Sequence, residues 1–191
     1  MKIFIFYIGI SLLLLACNNR NMSEYEARIR ATKIDIPLDS MKLLTPDLNI
    51  PISGCNDSAQ FRYVVYFDSL QCSPCQLKNM GIWRSVIKHT EEIGASVDFQ
   101  FIFCPKASQR EGLEETYFNR KTFLRIFIDT TGVVERHNPL LSESTIFHAF
   151  VVNDSNHIEV IGNAGNSELV ERRYYEFLRK KMAEKECSIN H

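Results

Sequence analysis

The stretch Tyr63-Val64-Val65-Tyr66-Phe67, followed shortly by Cys72-Ser73-Pro74-Cys75, decides the fold. The first five residues are all aromatic or β-branched, the signature of a strand buried on both faces. After the cysteines, Leu77, Met80, Trp83, Val86 and Ile87 recur at helical spacing. They predict one helix running to Gly94, a residue suited to the C-cap. The cysteine pair therefore lies where a buried strand hands over to a helix. A cysteine just before a helix faces the free N–H groups of the first turn and the positive end of the dipole. Both favour thiolate over thiol, so Cys72 gains a nucleophile's pKa. Pro74 suits the first helical turn, where its missing N–H is not needed. Cys75, one turn further in, is expected to be less exposed and placed to resolve a mixed disulfide formed at Cys72.

Working outward, Val97–Phe103 reads as a second buried strand, and Arg110–Asn119 as a helix with Leu113, Tyr117 and Phe118 on one side. Thr122–Ile128 reads as a third strand, closed by Asp129-Thr130-Thr131-Gly132. Phe147–Val152 and His157–Ile161 form an expected hairpin, joined by the turn formers Asn153-Asp154-Ser155-Asn156. Ser167–Lys185 reads as a closing helix capped by Ser167, with Leu169, Val170, Tyr174, Phe177, Leu178 and Met182 on its apolar side. Residues 34–58, with Pro37, Pro46, Pro51 and Gly54, suggest short strands and loops. Strands alternating with helices argue an α/β fold with parallel pairs.

The chain begins Met1-Lys2, then runs apolar from Ile3 to Ala16 and meets Cys17. One positive charge before a run shorter than the roughly 20 residues of a membrane span fits a secretory signal. Leu14-Leu15-Ala16-Cys17 resembles the lipobox of bacterial lipoproteins, which implies acylation of the Cys17 thiol and cleavage before it. Each buried acyl CH₂ contributes about 0.8 kcal/mol, so two or three chains hold a protein firmly on a bilayer. The expected organisation is a signal peptide at 1–16, a lipidated N-terminus and tether at 17–33, and a single domain at 34–187. The expected location is the cell envelope, facing the periplasm or cell exterior.

Charges nearly balance, 22 basic against 23 acidic, with no basic stripe, so nucleic acid is not an expected partner. The cysteines are Cys17, Cys55, Cys72, Cys75, Cys104 and Cys187. With Cys17 acylated, five remain, an odd number that leaves at least one thiol free or in transient exchange. A zinc site usually takes a second Cys-x-x-Cys, and a covalent haem takes His after the second cysteine, where Gln76 stands.

Tyr63–Gly94 resembles the active-site strand, Cys-x-x-Cys and first helix of the thioredoxin superfamily. Thr122–Gly162 is similar to the later sheet of its membrane-anchored TlpA/ResA-type branch. The resemblance implies a thioredoxin-like fold, a central mixed β-sheet flanked by helices. It implies thiol–disulfide exchange with exported proteins, with Cys72 attacking and Cys75 resolving. No cofactor or metal is implied, a membrane electron donor fits, and a reductant role follows the branch. Two residues depart from the pattern. Gln71 stands where many relatives have Trp, and Phe147, in Thr145-Ile146-Phe147-His148, stands where the family places a cis-proline facing the substrate. Cis bonds at non-proline residues cost about 2.5–4 kcal/mol, so Phe147 is expected trans.

Three further residues are candidates. Phe147 and His148 are expected to face the substrate, and His148 also has the chemistry to tune Cys72. Cys104 ends the second strand, where active sites of parallel sheets gather. Its competing reading is a buried cysteine acting as a small apolar residue. Cys55 and Cys187 have the types for a disulfide tying the ends together. A rival function is copper binding or delivery through Cys72 and Cys75 with His148 or His137, as thiolates suit Cu(I). A second rival is a non-catalytic binding module.

Overall fold

The computed structural model describes residues 27–46, 54, 56 and 58–189. The signal segment, Cys17 and Cys55 lie outside the described residues.

Six strands form one sheet: β1 (Lys42–Leu44), β2 (Phe61–Phe67), β3 (Val97–Phe103), β4 (Ile126–Ile128), β5 (Ala149–Asn153) and β6 (Ile158–Ile161). They lie in the order β1-β4-β3-β2-β5-β6. β2, β3 and β4 are parallel neighbours, while β1, β5 and β6 each pair antiparallel. The helices are α1 (27–31), α2 (Ser73–Lys78), α3 (Trp83–Glu92), α4 (Arg110–Asn119), α5 (Val133–His137), α6 (Leu140–Glu143) and α7 (Glu168–Ile189). A strand followed by a helical crossover to a parallel strand, then an antiparallel hairpin and a closing helix, is the thioredoxin-like arrangement. The expected mixed sheet flanked by helices is therefore present.

Successive side chains on a strand point to opposite faces, so β2 serves two cores. Tyr63 and Val65 join Phe99, Phe101, Leu77, Trp83, Leu113, Tyr117 and Tyr174 on one face. Val64 and Tyr66 join Ile102, Phe127, Val134, Leu141 and Phe147 on the other. Trp83 packs edge-on against Tyr63 and Phe101, the core role its helical position suggested.

Several boundaries differ from the sequence reading. The single helix expected up to Gly94 is broken: α2 ends at Lys78, a 3₁₀ turn spans Met80–Ile82, and α3 begins at Trp83. Asn79 and Gly81 are poor helix formers, and the tighter turn brings Leu77, Met80 and Trp83 into one core. Gly94 does take a left-handed conformation after α3, with φ of 78°. β4 keeps only the last three residues of the expected strand, because the chain from Thr122 turns against the end of α4. There the Tyr117 hydroxyl donates to the Leu124 carbonyl at 2.8 Å. Phe118 and Leu169 were expected on apolar faces but are exposed. Leu113 and Tyr117, and likewise Val170, Tyr174 and Leu178, form the i,i+4 stripes, and the neighbouring positions rotate off them. β5 starts at Ala149, since Thr145–His148 form a 3₁₀ turn. Helices α5 and α6 had no counterpart in the sequence reading. Ile29 of α1 is fully buried in the second core, so the packed body includes residues upstream of Ile34.

One buried hydroxyl ties the hairpin to the central strand. Tyr63 donates to the Gly162 carbonyl at 2.8 Å and accepts from the Ala164 N–H at 2.9 Å. Gly162 has φ of 116°, and a Cβ there would lie 2.8 Å from Val170 Cγ2, so no larger residue fits. Replacing Tyr63 with Phe strands both backbone groups in the core. Urea denaturation is expected to show a loss of about 1–3 kcal/mol.

Candidate active site

Cys72 is the N-cap of α2, and its carbonyl accepts from the Gln76 N–H at 3.0 Å. Pro74 lies in the first turn, as its fixed φ favours. Cys72 and Cys75 form a disulfide, their Cα atoms 5.2 Å apart. α2 is set at the carboxyl end of β2 and packs against α4, where Gly112 leaves room for the Pro74 ring. The first turn carries no acidic residue, so its free N–H groups act on the cysteines without an opposing charge.

Cys75 departs from expectation. Both cysteines are exposed, and Ser73 is the motif residue turned inward, fully buried. The hydroxyl of Ser73 has no hydrogen-bond partner.

The turn leading into Cys72 is held by Asp68, which is buried at the end of β2. Its Oδ1 accepts from the N–H of Leu70 at 2.9 Å and of Gln71 at 3.1 Å. The other oxygen lies 3.8 Å from His148 Nδ1. His148 is also buried, and its Nε2 donates to the Leu141 carbonyl at 2.9 Å. The ring meets Tyr66 edge-on at 5.4 Å.

A cleft of about 360 Å³ opens beside the motif. Gln71 and Gln76, which flank the cysteine pair, line one part of it, and Ile146, His148, Asn163 and Asn166 line others. His148 thus reaches the cleft. Phe147 does not: it is buried in the second core, and exposed Ile146 takes the rim position beside it. The 3₁₀ turn sends Phe147 inward, because its large ring fills space between Phe150, Leu141 and neighbouring apolar residues. Every peptide bond among the described residues is trans, Phe147 included.

Cys104 also lies off the cleft. Its N–H donates to the Phe67 carbonyl at 2.8 Å, extending the β2–β3 pairing, and its side chain packs against the second core. Burial pushes its thiol pKa up. The Tyr66 hydroxyl partly opposes this, while Asp129, Glu135 and Asp68 add to it. Cys187 is an exposed free thiol. Among the described residues no group of three or more His, Cys, Asp or Glu is gathered to hold a metal. His148 faces Asp68, and His137 is bonded to Asp35 at 2.6 Å.

Asp68, Asn163 and Asn166 have no place in the sequence analysis, and Gln76 enters it only as the residue where a haem site would take His. An Asp followed by two N–H groups it can accept is an Asx-turn pattern, so Asp68-Ser69-Leu70 carried a usable signal. The carboxamides carried none, because they meet only in the fold.

No protein-family model and no curated protein sequence matches the chain. Two solved structures are similar. A thioredoxin-like protein, solved in solution in its oxidized form, is 14% identical with a TM-score of 0.42, over 76% of this chain and 99% of that one. StoA from Bacillus subtilis is 19% identical with a TM-score of 0.38, over 68% of this chain and 95% of that one. Strand order and the place of the disulfide, rather than these scores, define the fold.

The raised pKa of Cys104 keeps it a thiol at neutral pH, and its half-burial restricts access. Timed alkylation at pH 8 with mass-spectrometric readout is expected to label Cys187 well before Cys104. Equal rates would mean that Cys104 is open to solvent.

Proposed function

We propose that this protein is an exported thiol–disulfide oxidoreductase, working as a reductant of exported proteins. The observation that carries this reading is an exposed Cys72–Cys75 disulfide at a strand-to-helix junction beside an open cleft. In the reduced protein the Cys72 thiolate attacks one sulfur of a substrate disulfide. A mixed disulfide forms, and the substrate's other sulfur leaves as a thiolate. Cys75 then loses its proton and attacks the Cys72 sulfur, releasing the second substrate thiol. The substrate gains two electrons and the protein is left with the Cys72–Cys75 disulfide, to be reduced again by a membrane electron donor. The helix N-terminus stabilises the Cys72 thiolate at both its attacking and leaving steps.

Acylation at Cys17 would hold the domain at the envelope membrane, facing the periplasm or exterior. This part of the proposal rests on the sequence of residues 1–17.

Three outcomes test the reading. The Cys72–Cys75 couple is expected to be reversible in a glutathione titration with thiol trapping, and Cys72→Ser is expected to abolish it. Cys75→Ser is expected to accumulate a mixed disulfide through Cys72 that dithiothreitol releases. A wild-type pair with no reversible couple overturns the assignment. For the anchor, palmitate labelling in cells is expected to mark the wild type, with Cys17→Ala unlabelled and released from the membrane fraction.

A further inference from the structure

Among the described residues, the buried Asp68–His148 pair is a titratable cluster at the cleft that the exchange steps above leave unused. A carbonyl oxygen can only accept, so the bond to Leu141 fixes a proton on His148 Nε2 in every state. The other ring nitrogen, Nδ1, is buried with no hydrogen-bond partner. An uncharged Nδ1 wastes this place, whereas a protonated one would face the Asp68 carboxylate at 3.8 Å. Leaving a buried polar atom unpaired is costly, so the site is half-built for a second proton.

The groups around that proton are few. Asp68 faces it from the end of β2, and Tyr66 of β2 presents its ring edge-on. From α6 only the Leu141 carbonyl bonds the ring. Asp129 at the end of β4 and Glu135 of α5 act on Tyr66 and Cys104, further along the same face.

The same pair is connected to the disulfide through the loop that leads into Cys72. Asp68 holds the N–H groups of Leu70 and Gln71, the two residues before Cys72, and His148 shares the cleft wall with Gln71 and Gln76. Reduction takes up two electrons and places a negative charge on Cys72. That charge raises the affinity of nearby bases for protons.

We propose that His148, backed by Asp68, is a redox-linked proton site that binds a proton at Nδ1 when the Cys72–Cys75 disulfide is reduced and releases it when the disulfide re-forms. This rests on the oxidoreductase reading. The balance is one disulfide, two electrons and two protons giving a Cys72 thiolate, a Cys75 thiol and an imidazolium. The electrons come from a dithiol donor, and the protons from water. His148 is a positioning residue here: it acts on Cys72 through charge and through the loop that Asp68 holds. Linkage makes the effect reciprocal, so each unit by which reduction raises the His148 pKa favours the reduced form tenfold at low pH.

The test is an NMR titration of the His148 ring protons in the wild-type protein, once oxidised and once reduced with excess dithiothreitol. The His148 pKa is expected to be higher in the reduced protein. The potential of the couple should also follow pH with about one proton fewer per two electrons in His148→Gln than in the wild type. Identical His148 pKa values in the two redox states, with a reversible couple present, overturn the proposal and leave the oxidoreductase reading standing. Absence of any reversible couple overturns both. Because the titration uses wild-type protein, a variant that fails to fold does not blunt it.

Discussion

The site depends on the confinement of strand β2. Its backbone is hydrogen-bonded to β3 on one edge and to β5 on the other, and its side chains enter both cores. A strand held on two edges and two faces has no direction in which its carboxyl end can drift, because close-packed interiors resist small displacements. Asp68 is the residue where that confinement passes to the loop. Its carboxylate fixes the two N–H groups that lead into Cys72. From there α2 is steadied by its contact with α4. Two exposed cysteines thus stand on a rigid base, which is what an exchange reaction needs to bring three sulfurs into line.

How much of this was legible depended on where each element draws its stability. β3 and α4 match the sequence reading residue for residue. A continuous apolar run and a regular helical stripe state their own structure. α5 and α6 are four or five residues long and would not form alone. α5 exists because Asp129, at the end of β4, accepts from the N–H groups of Val133 and Val134 at its start. The paired bonds between Asn138 and Asp35 then fasten the chain beyond α5 to the segment after α1. Such support comes from residues distant in sequence, and no local pattern announces it.

The candidate site divides the same way. The cysteine pair and its helix were readable because motif and context adjoin. His148 was readable as a candidate, but its direction was not, since that is set by the Leu141 carbonyl and by Asp68. The substrate-facing role expected of Phe147 rests on the cis-proline position of the family that the chain resembles. The 3₁₀ turn there decides which of Ile146, Phe147 and His148 faces outward, and this depends on how well the ring of Phe147 fits the second core.

Two of the three buried aspartates, Asp98 and Asp68, differ in how fully their oxygens are engaged. Asp98, towards the amino ends of the parallel strands, accepts from Arg125 at 2.5 Å, from the Gln100 amide at 2.8 Å and from the Asn56 N–H at 3.2 Å. Both its oxygens are engaged and its charge is countered, so the cluster acts as a structural clasp. Asp68, at the carboxyl end, spends one oxygen on the loop and presents the other across a gap to an imidazole nitrogen without a hydrogen bond. A core built only for stability would close that gap or fill it with apolar atoms, since a partly satisfied buried network is less stable than either alternative. The incomplete pair lies beside the cleft at the ends of parallel strands, the place where open α/β sheets put their reacting groups.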